Sequence, residues 1–429
     1  MAPQVPFRRM PERHSLLLVL PLCAVPLLGQ TQEPAGPMDP APREWVGGLP
    51  IWEWTRLTGD WGGLRTRLED AGLEFGDGYT VDIAAPWSGD TRRRASVSTL
   101  FDLNVALDLE VLAGLPRTLA FVDAYQLEGR DPSGDVGDFQ GLSNIQGDDV
   151  AIVAEVWIET WLHDTVRVKV GKVDFNSEFA FHEIGGEFVH STPGILPTIV
   201  GYPTFPDPAT SVNVFYVPDE RWHLGVAVYD GAAADGVPTG SRGPSTFFRD
   251  NVSSAWFLCA EAGYAWAGGE RWGAGRAVLG GFHHTATFAT FAGGSEDGTS
   301  GLWASLEQRL WRENAAADDG QGVGAFVAIG LADDSVSACG KSLTCGVEWL
   351  GALAGRDQDV LGFGVHFCDL SDDPGAGTPA DETTFELLYK LALTPAVSLK
   401  PELQYILDAG GQDGVDAVLV GLLRIEILF

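Results

Sequence analysis

Residues 152–172 read IVAEVWIETWLHDTVRVKVGK, in which apolar side chains alternate with charged and aromatic ones on both sides of a short polar break. Because successive side chains of a β-strand point to opposite faces, this alternation predicts two strands joined by a turn at residues 163–165. Pairing Leu162 with Val166 fixes an antiparallel register for the whole hairpin. On the polar face this register pairs Glu159 with Lys169, and Trp161 with Arg167.

The two faces of this hairpin differ in what they can contact. One face is apolar and comprises Ala154, Val156, Ile158, Thr160, Leu162, Val166, Val168 and Val170. The other face carries Glu155, Trp157, Glu159, Trp161, Arg167 and Lys169. Since charged side chains do not pack in a dry core, the polar face either meets bulk water in a soluble sheet or lines an aqueous lumen inside a lipid-facing wall.

Two further hairpins repeat this design, at residues 212–229 with a turn at 218–221 and at residues 385–405 with a turn at 394–396. Their outer faces are predicted to hold Trp222, Leu224, Val226, Val228, Phe385, Leu387, Tyr389, Leu391, Leu393, Val397, Leu399, Leu403 and Tyr405. The opposite face of the later hairpin carries Glu386, Lys390, Ser398, Lys400, Glu402 and Gln404. Trp222, Phe385 and Tyr405 lie near strand ends, where aromatic side chains border a membrane.

The connections between strands fall into two length classes. Turns of three or four residues alternate with long, Gly-rich and mostly acidic connections, such as residues 129–149, 231–251 and 369–382. This asymmetry is typical of an outer-membrane barrel, whose short turns are periplasmic and whose long loops are extracellular. We expect the acidic connection at 131–149 to be a solvated loop rather than a calcium site, because it lacks the regular ligand spacing of an EF-hand.

The last strand, residues 417–429, alternates strictly and ends on Phe429, with Arg424 and Glu426 on the inner face. A final strand closing on an aromatic residue resembles the signal read by the barrel assembly machinery, which makes that machinery an expected partner. Residues 73–429 accommodate about 14 to 18 strands of roughly ten residues together with their loops. Such barrels have even strand numbers, and within this range we predict 16. A barrel of this size leaves an aqueous channel.

The N-terminal region is predicted to contain three segments. Residues 1–29 combine basic residues, an apolar stretch and a small residue, which indicates a signal peptide, and residues 30–50 indicate a flexible leader. Residues 51–72 contain capping candidates at Thr58 and Asp60 and a Gly stop at Gly72, which predict one short amphipathic helix. This helix carries Trp61 and is expected to enter the lumen, to cap the periplasmic mouth, or to act in assembly or stability.

Charge and motif content exclude several other functions. The formal net charge of −32 becomes −34 once three arginines and one glutamate of the signal peptide are removed, so a nucleic-acid partner is excluded. No Gly-x-Ser-x-Gly motif occurs, and His283 and His284 have no distinctive metal-ligand spacing. We therefore predict no catalytic residues, no metal and no cofactor.

The mature chain has four cysteines after the signal peptide. Cys339 and Cys345 flank a short Gly-Lys-Ser-Leu-Thr stretch that could close as a disulfide in the periplasm, or both thiols could stay free. Cys259 and Cys368 lie in apolar surroundings and are expected to be unpaired.

Three blocks of sequence resemble the carbohydrate-selective porin family, known as OprB. They are LTGDWGGLR at residues 57–65, GKVDFNSEF at 171–179 with FVHS at 188–191 and GILP at 194–197, and ELLY at 386–389 with LKPELQYI at 399–406. The resemblance implies a 16-stranded barrel of the bacterial outer membrane that passes monosaccharides by facilitated diffusion, without a cofactor.

Thirteen side chains are candidate solute-binding residues of the lumen: Glu155, Trp157, Glu159, Trp161, Arg167, Lys169, Asp174, Asn176, Glu178, Lys400, Glu402, Arg424 and Glu426. In one interpretation the tryptophans stack on sugar rings while the charged groups exchange hydrogen bonds with hydroxyls. In the other, these residues pair with each other and brace the barrel wall. Asp174, Asn176 and Glu178 either extend the constriction or anchor an inward-folded loop.

The partners expected from this pattern are sugar solutes and outer-membrane lipid, with a monomer and a homo-oligomer both open. Three alternative functions also remain open. They are a general cation-tolerant pore, a surface barrel with an adhesive or structural role, and a secreted β protein that binds or hydrolyses carbohydrate.

Overall fold

The computed structural model describes residues 49–89, 91–147, 149–243, 253–269, 272–314 and 320–429. The predicted signal peptide and all but the last two residues of the predicted leader lie outside this part of the chain. Sixteen antiparallel strands close into one barrel in chain order, which confirms the predicted strand number. The strands are β1 (Leu73–Pro86), β2 (Ser96–Asp108), β3 (Thr118–Gly129), β4 (Val150–His163), β5 (Val166–Val173), β6 (Ala209–Tyr216), β7 (Trp222–Asp230), β8 (Trp256–Trp266), β9 (Gly275–Ala289), β10 (Ser295–Arg312), β11 (Gly322–Ala332), β12 (Cys339–Leu350), β13 (Val360–Leu370), β14 (Glu382–Thr394), β15 (Val397–Leu407) and β16 (Val418–Leu428).

The barrel closes where β1 pairs with β16, with Thr80 opposite Glu426. The register predicted for β4 and β5 is confirmed, because Glu159 lies opposite Lys169, and Trp161 lies opposite Arg167. Next to the turn a β-bulge places His163, instead of the predicted Leu162, opposite Val166.

Burial alternates along the strands as the two-face pattern predicts. Leu162 is 72% exposed on the outer wall, whereas Trp157 on the lumen face is 5% exposed. Ala154 departs from the prediction, since it is fully buried rather than on the outer face. A β-bulge explains this difference: Asp123 of β3 pairs with Glu155 and Ala124 pairs with Val153, so Ala154 is skipped.

Four short α-helices accompany the barrel: α1 (Leu64–Asp70), α2 (Leu109–Ala113), α3 (Ser133–Val136) and α4 (Thr239–Arg242). The N-terminal helix is shorter than predicted because Gly59, Trp61, Gly62 and Gly63 adopt positive φ and form turns. No helix in the described ranges is long and apolar enough to cross a bilayer.

The predicted helix signals at the N-terminus were partly wrong. The N-cap residue of α1 is Gly63, not Thr58 or Asp60, and it makes no side-chain cap hydrogen bond. The Asp60 carboxylate still caps the first turn, because it accepts hydrogen bonds from the main-chain N–H and the hydroxyl of Thr66, both at 2.7 Å. Gly72 has φ +89° just after the helix, as expected for a glycine that ends one.

The disulfide prediction is also corrected. Cys339 is bonded to Cys368 across the neighbouring strands β12 and β13, with their Cα atoms 5.9 Å apart. Cys339 and Cys345 lie on one continuous strand, and at about 3.3 Å per residue the six intervening steps hold them too far apart to bond. Cys345 and Cys259 are free thiols, so the prediction was right for Cys259 and wrong for Cys368.

Candidate functional site

The connection between β5 and β6, residues 174–208, folds into the barrel, and we call it the inner loop. Its side chains are mostly buried, including Phe175, Phe179 and Thr198 at 2% exposure or less. Its apolar side packs against lumen-facing aromatic residues of β3 to β10 in one cluster, which includes Phe121, Trp157, Phe215, Tyr229, Phe257, Phe282 and Trp303. One side of the lumen is therefore filled.

A row of four glutamates holds the inner loop along its length, and we call it the glutamate row. They are Glu261 on β8, Glu307 on β10, Glu348 on β12 and Glu386 on β14. Glu261 accepts the main-chain N–H of Ala180 at 2.8 Å, and Glu307 accepts those of Glu183 and Ile184 at 2.7 and 2.8 Å. Glu348 accepts the main-chain N–H groups of Gly185 and Glu187 at 3.1 and 3.2 Å. Glu386 accepts those of Val189 and His190 at 2.8 and 3.3 Å.

The glutamate row supplies hydrogen-bond acceptors to a buried loop that contains neither an α-helix nor a β-strand. Its main-chain N–H groups lack strand partners, and an unpaired buried N–H costs about 1–3 kcal/mol. Carboxylates are strong acceptors for such groups. A substantial share of the acidic side chains inside the barrel therefore serves to position the inner loop.

The connection between β3 and β4, residues 130–149, also enters the barrel, and we call it the second loop. Asn144 N–H donates to the carbonyl of Val189 at 2.8 Å, and the Ser191 hydroxyl donates to the carbonyl of Ser143 at 2.9 Å. The expectation of a solvated acidic loop was wrong, because this segment packs on the inner loop. Within it, burial, with the nearby charge of Glu382, raises the pKa of Asp138 to about 7.

Two of the predicted lumen cations form a four-membered charge cluster. Arg167 donates to Glu159 at 2.8 Å and to Glu178 at 2.5 Å. Lys169 lies 3.4 Å from Glu159 and also contacts Glu178. Burial alone would raise the pKa of Glu178, but the charges of Lys169 and Arg167 hold it below its usual value. The cluster joins β4, β5 and the inner loop and has no net charge.

A second charge network lies on the wall formed by β14, β15, β16 and β1. The Lys400 ammonium contacts Glu187 of the inner loop at 2.8 Å and Glu426 of β16 at 2.9 Å. Lys390 contacts the same Glu187 at 2.7 Å. Beside them, Arg424 donates two 2.8 Å hydrogen bonds to Asp82 across the β1–β16 seam. The inner loop is thus tied to both walls by ion pairs.

The structure separates the thirteen candidate side chains into two groups. Nine are buried and brace the wall or the loops: Glu155, Trp157, Lys169, Asp174, Glu178, Lys400, Glu402, Arg424 and Glu426. Four keep partial exposure in the lumen: Glu159, Trp161, Arg167 and Asn176. Direct contact with solute stays a prediction, and it is best supported for the second group.

Trp157 illustrates why burial matters for this prediction. One face of its ring is stacked on Phe121, with centroids 4.8 Å apart, and the ammonium of Lys169 lies 3.7 Å from the ring centroid. Its indole N–H donates to Glu155 at 3.2 Å. Stacking on a sugar ring would require these contacts to break, so the structure argues against that role for Trp157.

Asp174 begins the inner loop and acts as its anchor. Its carboxylate accepts the main-chain N–H groups of Asn176 and Phe205 and the hydroxyl of Thr204, at 2.7 to 2.9 Å. Burial raises the pKa of Asp174 to about 6, and these hydrogen bonds oppose the rise. Of the two roles considered for this residue, the contacts support the anchor.

Sequence reasoning missed most of the glutamate row and the histidines of the inner loop. His182 is stacked on Phe326 with centroids 4.4 Å apart, and His190 is stacked on His366 at 4.3 Å. A signal was present: each glutamate directly follows an apolar residue on its strand, at the alternate position that faces the lumen. The pattern identified Glu386 alone, because the other three strands were not paired into hairpins from sequence.

Lowering the pH is expected to weaken the packing of the inner loop in the barrel, because protonation of His182 is favoured when this side chain leaves its buried position. Burial, together with the positive charge of Arg276, lowers the pKa of His182 to about 3. The pKa of an unfolded histidine is near 6.5. When folding lowers this pKa, the histidine stabilises the folded state at pH values above 6.5, and this stabilisation is lost as the pH falls below 6.5. Between pH 6.5 and pH 5 the loss is about 2 kcal/mol, and His190, whose burial also lowers its pKa, adds to it.

Denaturant unfolding at pH 7.5 and pH 5, followed in detergent, measures this loss. His182→Phe keeps an aromatic ring on Phe326 and removes the titrating group, so its stability should depend less on pH than that of the unaltered chain. Equal pH dependence in the two proteins would show that His182 does not contribute.

A closed sixteen-stranded barrel whose lumen is narrowed by inward-folded loops is the architecture of a porin and points to a channel. Residues 92–429 match the family model described as "Carbohydrate-selective porin, OprB family", and the chain belongs to this family. It is accordingly a sugar porin of the bacterial outer membrane. The matched range contains the second and third blocks of resemblance, and the inner loop contains most of the second.

Similar proteins agree with this assignment. The chain is 24% identical over 429 residues to Porin B of Pseudomonas aeruginosa, covering 87% of this chain and 91% of that protein. It is also 24% identical over 420 residues to the putative porin QuiX of Acinetobacter baylyi, covering 87% and 93%. The high-pH structure of Pseudomonas putida OprB superposes with a TM-score of 0.78 at 22% identity, covering 88% of this chain and 99% of that one.

Proposed function

We propose that the channel passes neutral solutes of monosaccharide size in preference to ions. The observation that carries this proposal is the pairing of charge in the lumen. Six basic lumen side chains each contact a carboxylate within 4 Å: Arg167, Lys169, Arg276, Lys390, Lys400 and Arg424.

Paired charges suit a neutral, hydroxyl-rich solute. A free row of like charge would attract counter-ions and repel co-ions, whereas a paired cluster presents a weaker field. The same groups still donate and accept hydrogen bonds, and a sugar must exchange its hydration for such bonds as it passes. The two inward-folded loops, which contact each other across the lumen, limit the size of solute.

The path we propose passes the four partly exposed candidates, Glu159, Trp161, Arg167 and Asn176. Asn176 accepts a hydrogen bond from Thr204 at 2.8 Å, while its amide nitrogen has no hydrogen-bond partner among the described residues. Because this nitrogen is buried, the groups of the path that are open to a solute are Glu159, Trp161 and Arg167. Trp161 is the one candidate tryptophan that retains exposure for stacking on a ring.

Liposome swelling with sugars of graded size tests the proposal. Vesicles containing the protein should swell rapidly in glucose and slowly in a trisaccharide, since the two loops narrow the lumen. Trp161→Ala removes the partly exposed ring and should slow glucose swelling several-fold, while Asn314→Leu, at the periplasmic end of β10, should have no effect. Equal rates for glucose and the trisaccharide would refute size selection.

A second candidate function, a cation-tolerant pore, is favoured by one specific observation. Asp102, Asp123 and Glu155 face the lumen on the adjacent strands β2, β3 and β4, and no ion pair within 4 Å joins them to a basic side chain in the described ranges. The reversal potential across a planar bilayer in a KCl gradient distinguishes the candidates. A strongly cation-selective potential would favour this function over the proposed one.

Two further roles are proposals of the same kind. We propose that Phe429 serves as the recognition signal for the barrel assembly machinery, a role supported by its place at the end of β16. We also propose a homo-oligomer, and cross-linking in native membranes would distinguish it from a monomer.

A further inference from the structure

The barrel has an unusual group of exposed apolar side chains at its periplasmic end. They lie on residues 51–64, which precede β1, and around α2 in the β2–β3 turn. The group, which we call the rim patch, comprises Ile51, Trp52, Leu57, Trp61, Leu64, Val111, Leu112 and Leu115. Trp52 is 64% exposed and Val111 is 58% exposed. None of these residues takes part in the lumen site.

The N-terminal part of the rim patch is held firmly against the barrel. The buried Arg65 guanidinium donates to the main-chain oxygens of Gly59 at 3.1 Å and Phe429 at 3.0 Å, and it lies 3.4 Å from Asp77. Leu57 N–H donates to the carbonyl of Leu428 at 2.7 Å. The conformation that exposes these apolar side chains is thus fixed by contacts with β1 and β16.

The same contacts place this segment on the outer side of the barrel base. Thr80 and Asp82 face the lumen, so the alternation of β1 puts Phe75 and Asp77 on the outer wall. Trp61 packs edge-on against Phe75 with centroids 5.7 Å apart. The expectation that the Trp61 helix enters the lumen or caps its mouth does not fit this position.

The position continues the lipid-facing surface of the barrel. Exposed aromatic residues border the periplasmic ends of other strands: Tyr216 on β6, Trp222 on β7, Trp311 on β10 and Trp349 on β12. Such residues mark the boundary between acyl chains and headgroups. The first four residues of β1 and the last four of β2 include no Trp or Tyr, and Trp61 of the rim patch, packed on Phe75 of β1, supplies one there.

We propose that the rim patch is a membrane-binding surface, seated at the boundary between headgroups and acyl chains of the periplasmic leaflet. Its partner is phospholipid, and its apolar side chains give the N-terminal motif at residues 57–65 a role outside the channel. An amphipathic segment that lies in this boundary buries its apolar side chains about 5–10 Å deep.

A polarity-sensitive fluorophore attached at position 64 tests the proposal in full-length protein. Leu64→Cys is made with Cys259→Ala and Cys345→Ala, which leaves the Cys339–Cys368 disulfide intact, and is reconstituted in phosphatidylethanolamine–phosphatidylglycerol vesicles. Brominated acyl chains should quench the label strongly and aqueous iodide weakly. Leu279→Cys on the lipid-facing wall is the positive control, and Asp164→Cys in a turn at the same end is the aqueous control.

The outcomes separate the possible occupants of the rim patch. Quenching by iodide as strong as at position 164 would place the patch in water and overturn the proposal. Protection from both quenchers would indicate that protein, such as a second copy of the chain, covers it, and would overturn the proposal equally. As a check without labels, Trp52→Phe with Trp61→Phe should reduce the fraction of tryptophan emission that brominated lipids quench.

Discussion

Replacing Glu348 and Glu386 together by alanine is expected to raise the single-channel conductance several-fold and to let larger sugars through. These two carboxylates accept four main-chain N–H groups from residues 185–190 of the inner loop. Without them that half of the loop loses its acceptors on β12 and β14. It should then move away from the centre of the lumen, because only the ion pairs of Glu187 with Lys390 and Lys400 still tie it to the wall on this side.

The size of the effect follows from the number of bonds lost. A hydrogen bond to a charged acceptor contributes about 1.5–3 kcal/mol, so the loss of four exceeds the few kcal/mol that hold a typical loop in place. Glu386 also contacts His366 at 3.0 Å, which would lose its carboxylate partner. Planar-bilayer recordings and swelling in a trisaccharide measure the two consequences.

The matched control replaces the same residues by glutamine. Each glutamine keeps one acceptor oxygen at the same distance from the main chain, so Glu348→Gln with Glu386→Gln should change conductance far less than the alanine pair. The prediction fails if the alanine pair conducts like the unaltered chain while its barrel is still folded, as judged by heat-modifiable mobility on gels.

The barrel wall could be predicted from sequence because it depends on a local rule. Alternation along one strand determines which side chains face lipid, and it also places Glu159 opposite Lys169 once a turn is chosen. The outer faces at Trp222 and Leu387 follow from the same rule and are exposed as expected. The prediction for Ala154 was wrong because a β-bulge inserts one extra residue into the strand. The alternating sequence does not indicate where this bulge lies.

The interior could not be predicted in the same way because its contacts are between distant segments. The inner loop meets Glu386 some 200 residues further along the chain, and no periodicity reports such a pairing. The second loop was expected in solvent because it is acidic and Gly-rich, yet its groups pack on the inner loop. The Cys339–Cys368 bond was missed for a different reason, because it joins the consecutive strands β12 and β13, which were not paired into a hairpin from the sequence.

Replacing Lys400 by methionine is expected to destabilise the barrel by about 3–5 kcal/mol, the cost of leaving a buried charge without its partner. Lys400 is fully buried and lies between Glu187 and Glu426. After the substitution Glu187 retains Lys390 at 2.7 Å, while Glu426 keeps the Ser398 hydroxyl at 2.6 Å and no basic side chain within 4 Å in the described part of the chain. Urea unfolding followed by heat-modifiable mobility measures the loss.

Two comparisons show whether burial is the cause. Lys341→Met removes an ion pair with Asp369 whose lysine side chain is 69% exposed, and an exposed pair contributes little, so the unfolding midpoint should not change. Lys400→Met combined with Glu426→Met removes both members of a buried pair and should recover part of the loss, because no unpaired carboxylate is left on β16. If Lys400→Met alone unfolds at the same urea concentration as the unaltered chain, the ion pairs of Lys400 with Glu187 and Glu426 do not stabilise the barrel.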